Sequence, residues 1–182
     1  MIEKEISKIL SKYLNSFVDK THWKENNEYD ILMDVFGITP SLKRENRQYR
    51  GRELWMCWQL IVSKVAELSC WDEYKPAQRI WQDEPIDLII WNDAIDTKYR
   101  VWSWDSWTLK KFKKYWAMIR EDMWYRPVML MVRDDNLPAA MTALRKWTWE
   151  VYIWDDSFDY LLDKTWFDLK SYLISMKWEL SL

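Results

Sequence analysis

Apolar residues recur along this chain with two different periods, and the switches between them mark out its elements. In IEKEISKILSKYLNSFVDK, Ile2, Ile6, Ile9, Leu10, Tyr13 and Phe17 return every three to four positions, which is one face of an amphipathic helix. A polar link and the short apolar stretch DILMDVFGI follow. Pro40 and a basic run then lead into RELWMCWQLIVSKVAEL, a second predicted helix over residues 52–68. Pro76 interrupts a mixed stretch in which a first strand is expected around 77–82. Two strands at 86–90 and 94–100 come next, joined by a tight turn. Downstream, TLKKFKKYWAMIRE (108–121) reads as a helix, VMLMV (128–132) as a buried strand, LPAAMTALRK (137–146) as a helix opened by Pro138, and EVYIW (150–154) as a last strand. FDYLLDK and FDLKSYLISM add one or two helices. The order predicts an α/β protein with a mixed central sheet flanked by helices, preceded by an N-terminal helical arm.

At 182 residues, 49% of them hydrophobic, the chain suits one domain. Within it, 1–50 is the helical arm and basic segment, 51–155 the core and 156–182 the C-terminal helices. Its apolar runs are far shorter than the roughly 20 residues a bilayer requires, and its first residues lack signal-peptide character. A soluble, cytoplasmic protein with no membrane partner is expected.

Composition removes several chemistries. The single histidine, His22, sits in THWKENNEYD without catalytic company, which disfavours His-dependent nucleases and Ser-His-Asp hydrolases. Two glycines cannot build a phosphate-cradling loop. Cys57 and Cys70 lack CxxC spacing, so buried thiols are expected rather than a disulfide or zinc site. Any catalysis falls to carboxylates and lysines. The net charge of −2 hides two basic clusters: Lys43, Arg44, Arg47, Arg50 and Arg52, and, after Lys98 and Arg100, Lys110, Lys111, Lys113 and Lys114.

The tryptophan usage is anomalous. There are 16 Trp and 2 Gly, whereas ordinary proteins carry about 7% Gly. Trp91 separates two strand-like runs, and Trp102, Trp104 and Trp107 punctuate VWSWDSW, where turn residues belong. Trp116 and Trp124 bracket a helix end, while Trp147, Trp149 and Trp154 fall in loop-like places. Reading glycine there gives IIGNDAIDTKYRVGSGDSGT, with ordinary turn chemistry. One reading is that UGA codons meaning glycine were translated as Trp; the other is a genuinely Trp-rich protein. Trp58, inside a helical pattern, is expected to be a true Trp.

The segment EPIDLIIWNDAIDTKYR (84–100) carries the chemistry. A two-residue turn at 91–92 pairs Ile90 with Asp93 and therefore sets Asp87 opposite Asp96. Opposed carboxylates, with Cβ atoms about 5 Å apart, are destabilising unless a positive charge lies between them. Strand alternation brings Lys98 to the face of Asp96. Two carboxylates that can hold a divalent cation beside an ammonium are what metal-assisted phosphodiester hydrolysis requires.

With Pro85-x-Asp87 and Asp96-x-Lys98, the chain resembles the PD-(D/E)XK nuclease superfamily over about residues 50–155. The stretches GITPSLKRENRQYRGREL and DTKYRVWSWDSWTLKKFKKY resemble type II restriction endonucleases. Pro85 and Asp87 are separated by Ile86 rather than adjacent, and the middle acid is Asp. The resemblance implies a restriction endonuclease-like core, Mg²⁺ (with Mn²⁺ as substitute) held by Asp87, Asp96, the Thr97 carbonyl and the helix acid Glu53, and catalysis by Asp87, Asp96, Lys98 and Glu53. It further implies site-specific cleavage of double-stranded DNA by a homodimer, with a cognate DNA methyltransferase in the same system. Candidate DNA contacts are Lys43, Arg44, Arg47, Arg50, Arg52, Arg100, Ser103, Lys110, Lys111 and Lys114. A repair or junction-resolving nuclease of the same fold, and a non-cleaving DNA-binding module, are the alternatives.

Overall fold

A computed structural model describes residues 30–45, 47–80, 83–101 and 106–177. The expected first helix and His22 lie outside them. A short helix, α1 (Ile31–Val35), begins where Asp30 caps the Leu32 and Met33 amides at 3.1 and 3.0 Å. This helix was not expected: its single turn is too short for a periodic signal. Then come α2 (Pro40–Glu45) and the long α3 (Arg47–Cys70), which starts earlier than the apolar pattern does because its first turn is polar.

Five strands form one mixed sheet in the order β1 (Tyr74–Pro76), β2 (Leu88–Ile90), β3 (Asp93–Lys98), β4 (Arg126–Met131) and β5 (Glu150–Ile153). β1, β2 and β3 are antiparallel neighbours, whereas β3, β4 and β5 run parallel. The first strand therefore lies at 74–76 and not at 77–82, where the described residues hold only an isolated bridge between Ile80 and Asp83. Pro76, lacking an N–H, closes this short edge strand.

Helices cover both faces. Leu88, Ile90, Ile95, Val128 and Leu130 point to one side, against Leu54, Trp58, Val62 and Ala66 of α3 and the C-terminal helices α6 (Asp155–Thr165) and α7 (Leu169–Ser175). Ile89, Ala94, Met129 and Met131 point to the other, against Phe112, Tyr115 and Ile119 from α4 (Ser106–Ala117) and the π-helical turn Met118–Asp122, and against α5 (Pro138–Lys146). β4 is buried on both faces, which is why VMLMV reads as an unbroken apolar run. The α/β architecture with a mixed sheet between helices is as the pattern predicted.

A buried ionic network anchors the carboxyl ends of β3 and β4. Arg133 bridges Asp30 at 2.8 Å and Asp135 at 2.6 Å, and the Tyr99 hydroxyl donates to Asp30. Arg100 pairs with Asp135, and Lys43 donates to the Tyr99 hydroxyl at 2.9 Å. Both cysteines are free, and burial pushes each thiol pKa upward. Among the described residues no helix is long and apolar enough to cross a membrane.

Candidate active site

The site is built at the open end of the β2–β3 hairpin. Ile90 pairs with Asp93, Ile89 with Ala94 and Leu88 with Ile95 around the turn at Trp91 and Asn92, as the turn length requires. Beyond the Leu88–Ile95 pair the ladder stops: the Asp87 amide donates to the Ile95 carbonyl at 2.8 Å instead of continuing the expected register to Asp96, and Asp87 stays close enough to Asp96 for its charge to raise the Asp96 pKa. β2 begins at Leu88, so among the described residues the end of β3 has no ladder partner on the β2 side, and Asp96 and Thr97 are buried there while Lys98 is partly exposed.

The two carboxylates have different environments. Asp96 shares its sheet face with Ala94 and lies nine-tenths or more out of solvent. Burial raises its pKa to about 6, the Asp87 charge adding to the rise and the Lys98 ammonium opposing it. Lys98 ion-pairs with Asp96, donates to the Thr97 carbonyl at 3.3 Å and lies 5.5 Å from the centre of the Trp55 ring. Asp87 turns toward α3. Its Oδ2 accepts from the Thr97 amide and hydroxyl, both at 2.6 Å, and its Oδ1 accepts from Gln59 Nε2 at 2.7 Å. The Thr97 carbonyl accepts in turn from the Trp55 indole at 3.0 Å.

Gln59 and Trp55 are therefore site neighbours that the sequence reading missed, whereas the expected helix acid Glu53 is paired with Arg52. Trp55 and Gln59 stand four residues apart on one flank of the buried α3 stripe. Glu53, two residues before Trp55, falls about 200° around the helix and points away. It is half exposed and paired with Arg52 at 3.3 Å. Among the described residues no group of three or more His, Cys, Asp or Glu side chains is placed to hold a metal ion. Counting helical angle from Leu54, Trp58 and Val62, and not searching for the nearest acid, identifies Gln59.

The remaining oxygen donors suit a hard cation. Mg²⁺ is commonly held by one or two carboxylates with waters completing the shell, and Asp87, Asp96 and the Thr97 carbonyl offer oxygen alone. Zinc, which favours nitrogen and sulfur, has no such ligands here.

The predicted DNA-facing residues divide. Lys110, Lys111 and Lys113 are exposed on α4, Lys111 close enough to Asp96 to lower its pKa. Lys114 is exposed but paired with Asp83. Lys43 is committed to Tyr99, and Arg52 to Glu53. Arg100 has a side chain that is 4% exposed and paired with Asp135. Ser103 and the side chains of Arg44, Arg47 and Arg50 lie outside the described residues.

Compared with known proteins, the chain matches no family model, no curated sequence and no solved structure.

Proposed function

We propose that this chain is a PD-(D/E)XK nuclease that hydrolyses phosphodiester bonds of double-stranded DNA with Mg²⁺, as a type II restriction-type endonuclease with a restriction endonuclease-like core. The observation that carries this reading is the cluster at the end of the β2–β3 hairpin: Asp87 is hydrogen-bonded to Thr97, the neighbour of Asp96, and Lys98 is paired to Asp96. A bound Mg²⁺ would polarise the scissile phosphate and acidify a water. Asp87 and Asp96 would hold it, and the proton that burial keeps on part of the Asp96 population would leave when it binds. Lys98, as an ammonium, would orient the attacking water or offset charge developing on the phosphate. The exposed α4 lysines would neutralise backbone phosphates. A homodimer on a palindromic site, one strand cut by each subunit, fits the double-strand reaction.

Phage DNA incubated with the protein and Mg²⁺ is expected to give discrete fragments whose sequenced ends share a motif, and Asp96→Asn protein should give none. Uncut DNA under Mg²⁺ and Mn²⁺, from protein that is folded by circular dichroism, would refute the reading.

A further inference from the structure

Among the described residues, five of the six non-glycine residues with positive φ are tryptophans: Trp71 at 29°, Trp91 at 55°, Trp124 at 63°, Trp154 at 54° and Trp166 at 60°; the sixth is Thr148. This region crowds an L side chain against its own backbone, and glycine alone enters it freely. Bulky aromatics are among the least suited residues to it.

Each of the five stands where the chain changes direction. Trp71 directly follows α3, and Trp91 opens the two-residue hairpin turn, a position that needs positive φ and favours glycine. Trp124 lies between the π-helical turn and β4. Trp154, with ψ of −119°, joins β5 to α6 in a conformation open essentially to glycine only. Trp166 ends α6 in the left-handed conformation, its amide donating to the Leu162 carbonyl at 2.9 Å, the usual place of a helix-terminating glycine. Four of the rings protrude into solvent: Trp71 is 77% exposed, Trp91 54%, Trp124 80% and Trp166 89%. They supply neither packing nor backbone fitness.

Other tryptophans behave in the opposite way. Trp58 and Trp149 are buried and donate their indole N–H to the Leu130 and Phe112 carbonyls, both at 3.3 Å. Trp55 donates to Thr97. Trp116 and Trp147 pack against the core beside α5 with ordinary φ. Trp116, Trp147 and Trp149 thus leave the group that their surroundings suggested, Trp71 and Trp166 enter it, and Trp102, Trp104 and the side chain of Trp107 lie outside the described residues.

We infer that the natural residue at 71, 91, 124, 154 and 166 is glycine, read from UGA codons, whereas 55, 58 and 149 are genuine tryptophans. The inference is independent of the nuclease reading, because it rests on backbone conformation and exposure alone.

The test is peptide mass spectrometry of the protein isolated from its own source, together with the codons of its gene. Glycine masses at the five positions, with UGA there and UGG at 55, 58 and 149, are expected. Tryptophan masses or UGG codons at the five overturn the inference. Recombinant protein with glycine at all five should unfold at a higher temperature than the tryptophan form, while Trp58→Gly should lower the midpoint or prevent folding. A fall in midpoint on placing the five glycines would also count against it.

Discussion

Asp87 and Thr97 are joined twice, the amide and the hydroxyl of Thr97 both donating to one carboxylate oxygen at 2.6 Å. Because the amide belongs to β3, the carboxylate stands in for the missing strand partner and is aimed by it. Thr97→Val keeps the shape but removes the hydroxyl donor to a charged acceptor. A loss of about 1.5–3 kcal/mol is expected in urea denaturation, with less effect from Gln59→Ala because Gln59 lies nearer the open side.

At the reaction level, Asp96→Asn and Asp87→Asn should abolish cleavage while leaving DNA binding in Ca²⁺ intact or tighter, because repulsion of the phosphates falls. Lys98→Ala should keep divalent-ion binding and lose turnover by about 10²–10⁴-fold. Mn²⁺ should not restore it. An Asp96→Asn protein that cuts at the normal rate would sink the assignment, and single-turnover assays with isothermal titration separate the two roles.

Acid should weaken the hairpin through Asp93. Burial opposes ionisation of this carboxylate, but the two Arg126 hydrogen bonds at 2.6 Å, the Tyr160 hydroxyl at 2.8 Å and Lys164 outweigh it and hold the pKa below 3.8. A carboxylate depressed in the folded state stabilises above its unfolded pKa, and the stabilisation disappears as pH falls through the folded value. Asp93→Asn should therefore destabilise by ~2 kcal/mol at pH 7, discounted from a fully buried pair because solvent reaches Arg126. The difference from the parent protein should shrink toward pH 3. Denaturant midpoints across pH measure it, and a constant difference would contradict the linkage.

Asp30→Asn isolates the buried clamp. The amide can still cap α1, but Arg133 loses the Asp30 carboxylate and must share Asp135 with Arg100 in a site from which solvent is excluded. Removing one partner of a buried pair typically destabilises by about 3–5 kcal/mol. Thermal and urea unfolding should both register it.

The salt dependence of DNA binding should sort the basic residues. Lys110→Gln and Lys111→Gln should each reduce the slope of log affinity against log salt by about 0.9 if each meets a phosphate. Lys114→Gln should do less, since Asp83 already neutralises that ammonium. Arg100→Gln should leave the slope alone and lower stability.

Local chemistry alone determined a good deal of this protein. The run VMLMV declares a strand buried on both faces, and Pro138 declares a helix start. Because side chains alternate along a strand, the two-residue turn at 91–92 by itself dictates the pairing from Ile90–Asp93 to Leu88–Ile95 and that Lys98 shares the Asp96 face, whereas the end of that ladder at Asp87 was not legible. The tertiary structure decided which distant groups meet these residues. Nothing within α3 says that Gln59 and Trp55, rather than the acid Glu53, look toward the hairpin, because that depends on how the Leu54, Trp58 and Val62 stripe seats the helix on the sheet. Nor does local sequence reveal that Arg100 is turned inward: its partner, Asp135, is brought to it only by the parallel pairing of β3 with β4. Periodicity specifies direction relative to an element's own axis, whereas a site also needs the rotation and register of one element against another, and those are set by packing.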